Sequence, residues 1–240
     1  MATRITLCVF LVIIAHAYCQ REELASHLKG IAESVHEVIP DNPKDSMSVK
    51  VELFLTNIVD YNPKNQVLDI GGWFKLQWDD KRFAWDPEEY GGITQARLPA
   101  SSITQPDIKL FNGAKNGMTI DADINCVVFS TGSILCLPLV GIESYCPITN
   151  PAGDTFDCSI KFGSWGYDCN KLNITRAESY VDVHEFKGGW RWHLVQSSSN
   201  VTESMYPCCP ESYCTVNIDL KVRDKSRTPR GRWYFPLWVH

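Results

Sequence analysis

The chain has 240 residues, of which 44% are hydrophobic and 21% charged, with 10 cysteines and a formal net charge of −5. The apolar content excludes a disordered chain, and the acidic balance leaves no electrostatic footprint for nucleic acid. The length suits one all-β domain, or at most two small ones, with a sizeable core, and so many cysteines belong in an oxidising compartment rather than the cytosol.

Arg4 precedes an uncharged apolar run over residues 5–14, followed by the small residues Ala15 and Ala17. This is the pattern of a secretory signal peptide, too short to span a bilayer. Cleavage is expected after Cys19, with Ala17 the other candidate position. That makes 1–19 the leader and 20–240 one mature domain, and it removes Cys8 and Cys19 so that an even set of cysteines remains. No later stretch approaches the roughly 20 apolar residues of a membrane helix. A secreted, extracellular protein without a membrane span is expected, and the sequons at Asn173 and Asn200 fit a glycoprotein on that route.

Within 21–39, Leu24, Leu28, Ile31, Val35 and Ile39 form one stripe at helical spacing, ended by Pro40 and Asp41-Asn42-Pro43. The period then changes to two. Val49, Val51, Leu53 and Leu55 alternate with polar residues, as do Trp190, Trp192 and Leu194, and again Val216, Ile218, Leu220 and Val222. By this alternation Trp78 and Trp190 are core residues. Asn62-Pro63, Gly71-Gly72, Gly91-Gly92 and Gly188-Gly189 read as turns. There is no βαβ alternation, repeat or linker. The pattern predicts an N-terminal α-helix followed by an antiparallel, all-β sandwich of the immunoglobulin-like kind.

Enzyme chemistry finds no template. The chain has no G-x-S-x-G elbow, P-loop or dinucleotide fingerprint. His36-Glu37 and His184-Glu185 begin like a zinc-protease motif, but Pro40 and Gly188 stand where the second histidine is needed. Glu88-Glu89 reads as a solvated loop rather than an acid pair. No cofactor, metal or catalytic residue is expected.

Cys208 and Cys209 are adjacent, so a bond between them closes only an eight-membered ring that stiffens a loop tip. Zinc would want C-x-x-C pairs, and the chain has none. Cys146 and Cys158 enclose a polar segment, 147–157, directly before Phe162-Gly163-Ser164-Trp165. A ring of that size is worth about 3 kcal/mol in the chain-entropy model. These residues, together with the Tyr206-x-Cys208-Cys209-x-x-x-Tyr213 loop, Lys64-Asn65-Gln66-Val67-Leu68, the 73–80 run from Trp73, and Pro106-Asp107-Ile108, appear in an order that resembles the extracellular ligand-binding domain of Cys-loop (pentameric ligand-gated) receptors. Within that group the chain is similar to the soluble acetylcholine-binding proteins. The similarity covers essentially the whole mature chain.

The resemblance implies a homopentamer in a ring, with a small cationic ligand such as acetylcholine or a nicotinic alkaloid bound between neighbouring subunits. It assigns Phe111, Trp165, Tyr206, Tyr213 and the Cys208–Cys209 tip to a principal face. Trp73, Val127, Leu135 and Leu137 fall on the neighbour's complementary face. It also implies the pairings Cys146–Cys158 and Cys208–Cys209. Electron-rich ring faces suit a quaternary ammonium, which has no hydrogen to donate.

Three positions depart from the family. Phe111 replaces a tyrosine, Thr104 stands where a tryptophan usually precedes Pro106, and Val127, Leu135 and Leu137 are all apolar. The 146–158 loop lacks the Phe-Pro of receptors and is shorter and more polar, as expected of a loop with no membrane domain to touch. The chain also stops at His240, after a segment that looks like the approach to a first membrane helix. Cys126 and Cys136 flank the turn signal Ser130-Thr131-Gly132-Ser133, which suggests a cross-strand bridge; Cys169 and Cys214 then pair by elimination and brace the binding face from behind. Two other readings stay open: a pentameric interaction or scaffold protein that has lost cholinergic binding, and a receptor subunit truncated before its channel.

Overall fold

Leu24, Leu28 and Ala32 recur one turn apart and are buried, with Ile31 packed partly against the same core. They anchor helix α1, Ala2–Val35, in a computed structural model that describes residues 2–35, 47–150, 152–175, 179–207 and 209–227. The helix does not begin at Arg21. It runs unbroken from Ala2, because no proline or glycine occurs before Gly30 to interrupt it. Its expected end at Ile39, and the His36-Glu37 pair, lie outside the described residues.

Strands follow in the order β1 Met47–Asn62, β2 Val67–Asp79, β3 Gln95–Pro99, β4 Ile108–Leu110, β5 Gly113–Ile120, β6 Asn125–Phe129 and β7 Ser133–Cys136. Then come β8 Leu139–Tyr145, β9 Thr155–Ser164, β10 Leu172–Thr175, β11 Val181–Asp182, β12 Trp192–Met205 and β13 Ser212–Asp224. Among the described residues they form two sheets. Nine strands build the larger, along the path β10-β1-β2-β7-β6-β3 with β8 and β5 branching from β2 and β11 beside β1; the smaller has the order β12-β13-β9-β4. The alternating rows meet between them: Val49, Val51, Leu53 and Leu55 from β1 face Val216, Ile218, Leu220 and Val222 across one buried core.

Two expectations fail for identifiable reasons. Gly71-Gly72 is not a turn but lies inside β2, opposite the β1 bulge between Leu55 and Asn57. A Cβ on Gly72 would sit 2.3 Å from the Phe54 carbonyl oxygen, so glycine is what allows the two backbones to approach there. Trp190 is not core but 84% exposed, whereas Trp78 is buried at 2%. The strand begins only at Trp192, and Trp190 sits outside it after Gly188-Gly189, so the period-two count does not reach it. Glu88 and Glu89 are exposed as expected, but on a single 3-10 turn, Pro87–Tyr90.

One end of the smaller sheet is held by buried charge. The Asp224 carboxylate is 1% exposed and accepts from Arg191 Nη2 at 3.0 Å, Arg191 Nε at 3.2 Å and Ser226 Oγ at 2.6 Å. The same segment holds the Cys146–Cys158 loop: Asp224 N donates to the Asp154 carbonyl at 2.7 Å, and Arg227 lies 5.2 Å over the buried Phe156 ring. Tyr61 Oη donates to the Cys146 carbonyl at 3.1 Å. Burial alone would raise the Asp224 carboxyl, but the hydrogen bonds from Arg191 and Ser226 outweigh it and hold the group below the usual carboxylate range. Asp69 behaves oppositely. Burial, and then the carboxylates of Glu143 and Asp60 placed directly across from it in the ladder, push it up.

A depressed native carboxyl stabilises above the unfolded value and loses that contribution as pH falls through the folded value. Asp224→Asn should therefore cost about 2–4 kcal/mol at neutral pH by leaving Arg191 without its partner. Thermal melts of the two proteins should converge below about pH 4; a gap that persists unchanged into strong acid would contradict this account.

Candidate ligand-binding site

The antiparallel ladder of β9 with β13 runs from Thr155↔Arg223 to Gly163↔Thr215 and ends there. Trp165 lies two residues beyond Gly163, and Tyr213 two residues beyond Thr215 in the other direction, so both stand at the same end of adjacent strands. Phe111 follows β4, and its N–H donates to the Lys161 carbonyl at 2.7 Å, which lays its ring across β9. That is possible because residue 163 is glycine: a Cβ there would come 3.0 Å from the Phe111 ring and 2.5 Å from the Cys214 carbonyl oxygen. The Phe111 and Trp165 rings meet edge to face at 5.8 Å and 73°.

Trp165 is 71% exposed, yet its backbone is fixed. Asp107 Oδ2 accepts from Trp165 N at 3.1 Å, Gly166 N at 2.8 Å and Ser164 Oγ at 3.5 Å, while Ser164 Oγ accepts from Tyr167 N at 3.0 Å. Asp107 stands out in sequence only as part of the Pro106-Asp107-Ile108 motif; its anchoring role depends on a contact across 58 residues that no local pattern signals.

The β12–β13 hairpin carries the other two aromatics. Tyr206, 46% exposed, meets Tyr213 edge to face at 5.8 Å. Cys209 is disulfide-bonded, and Cys208 lies outside the described residues. Near the tip of the hairpin, two residues into β13, Cys214 is bridged to Cys169, with Cα atoms 5.2 Å apart, and Cys169 N donates to the Ser212 carbonyl at 2.9 Å.

Trp73, Val127, Leu135 and Leu137 belong to the larger sheet. Val127 pairs with Leu135, Leu135 with Gln77, and Trp73 with Leu139. Their strand neighbours Phe74, Val128, Ile134 and Cys136 are buried, so alternation turns the named residues outward, with Leu137 47% exposed beyond them. The Cys126–Cys136 bridge closes this hairpin on the core side, Cα atoms 4.5 Å apart. Trp73 stacks flat on Phe54, centroids 3.8 Å apart and planes 6° off parallel. Beside it an open cleft of about 510 Å³ is lined by Thr56, Asn57, Trp73, Glu185 and Lys187. Neither Phe54 nor Glu185 stands out in sequence: the first reads as one more strand residue, the second as half of a failed zinc motif. The two aromatic groups thus sit on different sheets of one chain, and among the described residues the ring contact of Trp73 is with Phe54.

This arrangement coincides with a match of residues 24–226 to the family model for the neurotransmitter-gated ion-channel ligand binding domain. The chain belongs to that family. It is 33% identical over 187 residues to the Caenorhabditis elegans acetylcholine receptor subunit alpha-type acr-16, covering 77% of this chain and 38% of that protein. It is 32% identical to the Rattus norvegicus neuronal acetylcholine receptor subunit alpha-6, covering 76% and 38%. The domain therefore spans about two fifths of the length of these curated relatives. Among solved structures it is similar to Capitella teleta AChBP in complex with lobeline, with a TM-score of 0.75, 25% identity, and coverage of 87% of this chain and 98% of that one. The fold is that of the acetylcholine-binding proteins: curled β-sheets and one N-terminal helix. Among the described residues of this ligand-binding domain, no helix is long and apolar enough to cross a membrane.

Replacing Asp107 with alanine leaves the amides of Trp165 and Gly166 without their acceptor. Asp107→Ala should cost about 1–3 kcal/mol of stability and accelerate hydrogen exchange of those two amides well beyond those of the β9 ladder. Unchanged protection at both would contradict the anchoring role.

Proposed function

We propose that this chain is a secreted, homopentameric binding protein whose Trp165–Phe111 face meets the Trp73 face of a neighbouring copy, and that a small cationic ligand of the acetylcholine or nicotinic-alkaloid class sits between them. The observation that carries this reading is Trp165: a large aromatic ring left 71% exposed on a backbone held by Asp107 is arranged to be covered by something else. Each desolvated ring contact with a quaternary ammonium is worth about 1–2 kcal/mol, so Trp165, Tyr206, Tyr213 and Trp73 together supply enough for a specific site. The lobeline complex of the C. teleta protein supports the ligand class.

The Cys146–Cys158 loop supports a protein that works without a membrane domain. Its bridge is buried, Phe156 points inward, and among the described residues of the loop Pro147, Thr149, Asn150, Ala152 and Asp157 are exposed, all but Pro147 and Ala152 polar. Its charges are spent on its own sheet, Asp154 with Arg223 at 3.6 Å and Asp157 with Lys221 at 3.3 Å. A scaffold role without cholinergic binding is the second reading, favoured by the missing hydroxyl at Phe111 and the apolar Val127, Leu135 and Leu137. A channel subunit is the third; it predicts a reading frame continuing past His240 into apolar helices.

Titration of protein shown by light scattering to be pentameric separates these readings. Acetylcholine and nicotine should quench tryptophan fluorescence with saturation, and Trp165→Ala should abolish the quench; no quench at millimolar ligand would sink the cholinergic reading.

The secretory route is proposed with cleavage after Cys19 and glycans on Asn173 and Asn200. Both asparagines are exposed on strands, and Asn217 Nδ2 donates to Asn200 Oδ1 at 3.1 Å and Thr202 Oγ1 at 3.0 Å. Mass spectra of the secreted protein before and after enzymatic deglycosylation should show a chain starting at Gln20 and two occupied sites. Unmodified mass, or an uncleaved leader, would refute it.

A further inference from the structure

Strand β12 forms one edge of the smaller sheet, and at 14 residues it is long for an edge. Among the described residues no strand pairs with its outer side. Other edges are blunted by ordinary means. On the far side of the same sheet β4 has three residues. In the larger sheet β3 has five, Arg97 and Pro99 among them, and β5 is broken by the bulge between Gly113 and Met118. On β12 the bulge between Leu194 and Gln196 bends only the start. From Leu194 to Thr202 the strand carries neither a charge nor a proline, and Val195 and Val201 are exposed. Such a stretch is a template for pairing with another chain.

The same stretch holds the sequon Asn200-Val201-Thr202. Asn200 stands opposite Asn217 in the ladder, and Thr202 opposite Thr215. Asn217 is buried, and its Nδ2 donates both to Asn200 Oδ1 and to Thr202 Oγ1. The oxygen of the Asn200 amide is therefore drawn towards β13. The nitrogen, on the other arm of the same planar amide, is turned towards the open edge, and it is the atom that takes the sugar. We propose that an N-linked glycan on Asn200, aimed by Asn217, shields the free edge of β12 and prevents it from pairing with β12 of a second copy. A bulky, hydrated sugar chain keeps another strand from reaching the spacing of about 4.8 Å that a ladder needs. It does for this edge what a lysine or a proline does for others. The proposal rests on the occupancy of Asn200 proposed above. Asn173, in the other sequon, lies on the four-residue strand β10 of the larger sheet and guards nothing on β12.

The test uses protein secreted from cells that attach N-linked glycans. N200Q removes the glycan with its asparagine; T202A spoils the sequon but keeps Asn200 and its bond to Asn217, so a folding defect of one variant does not decide the outcome. N173Q is the control on the other sheet. In light scattering over a concentration series, N200Q and T202A should reach about double the mass of the native assembly, because pairing of like edges is two-fold. N173Q should keep the native mass. Adding S198K, which places a charge on the exposed face of the same edge, should return N200Q to the native mass. Native mass for both N200Q and T202A at every concentration overturns the proposal, as does association that S198K leaves unchanged. Mass spectra separate its failure from that of the reading beneath it. An unmodified Asn200 in the secreted native protein overturns both, whereas an occupied Asn200 whose loss causes no association overturns the shielding role alone.

Discussion

The pairing of β9 with β13 is the constraint on which the rest of the molecule hangs. One strand starts in the Cys146–Cys158 loop and ends at Ser164, directly before Trp165; the other starts at Ser212, directly before Tyr213, and ends at Asp224. Their register therefore fixes two distant features together. At one end it brings Asp224 to the Asp154 carbonyl and Arg223 to the Asp154 carboxylate; at the other it places Trp165 and Tyr213 beyond the same end of the ladder. A slip of one residue would turn Val216, Ile218, Leu220 and Val222 out of the core, so burial of that row is what enforces the geometry of the aromatic face.

Both ends then solve the same physical problem, which is to hold a loop that has left the sheet. Each uses a carboxylate that accepts backbone amides or a guanidinium, together with a disulfide. Asp107 with Cys169–Cys214 serves the aromatic end, and Asp224 with Cys146–Cys158 serves the base. The difference lies in exposure. At the base the charge is buried and its partners are spent, which makes that end rigid and sensitive to acid. At the aromatic end Trp165 and Tyr206 stay open to water on an anchored backbone.

Alternation carried most of the fold. Val49 through Leu55 and Val216 through Val222 face inward because a strand with one buried face has no other arrangement. The same rule misplaces Trp190, since it counts residues without knowing where the strand begins, and it cannot recognise Gly71-Gly72 as strand, since the reason for glycine there is the carbonyl of Phe54 on another segment. In the site, the aromatic residues stand out by composition and spacing. Asp107, Phe54 and Glu185 do not, because each acts through a partner far away in sequence.

Residue order by itself determined the class of fold, the family, and the residue types of the candidate site, because periodicity, turn chemistry and motif spacing are written along the chain. It also singled out Trp73, Phe111, Trp165, Tyr206 and Tyr213 as candidate site residues. Only the tertiary structure decided that Trp73 and Trp165 stand on different sheets, that Trp165 is exposed on an anchored backbone, and that Cys169 rejoins two segments where their ladder has ended. Those are matters of distance between residues remote in sequence. They follow from how the two sheets pack, which no local pattern records.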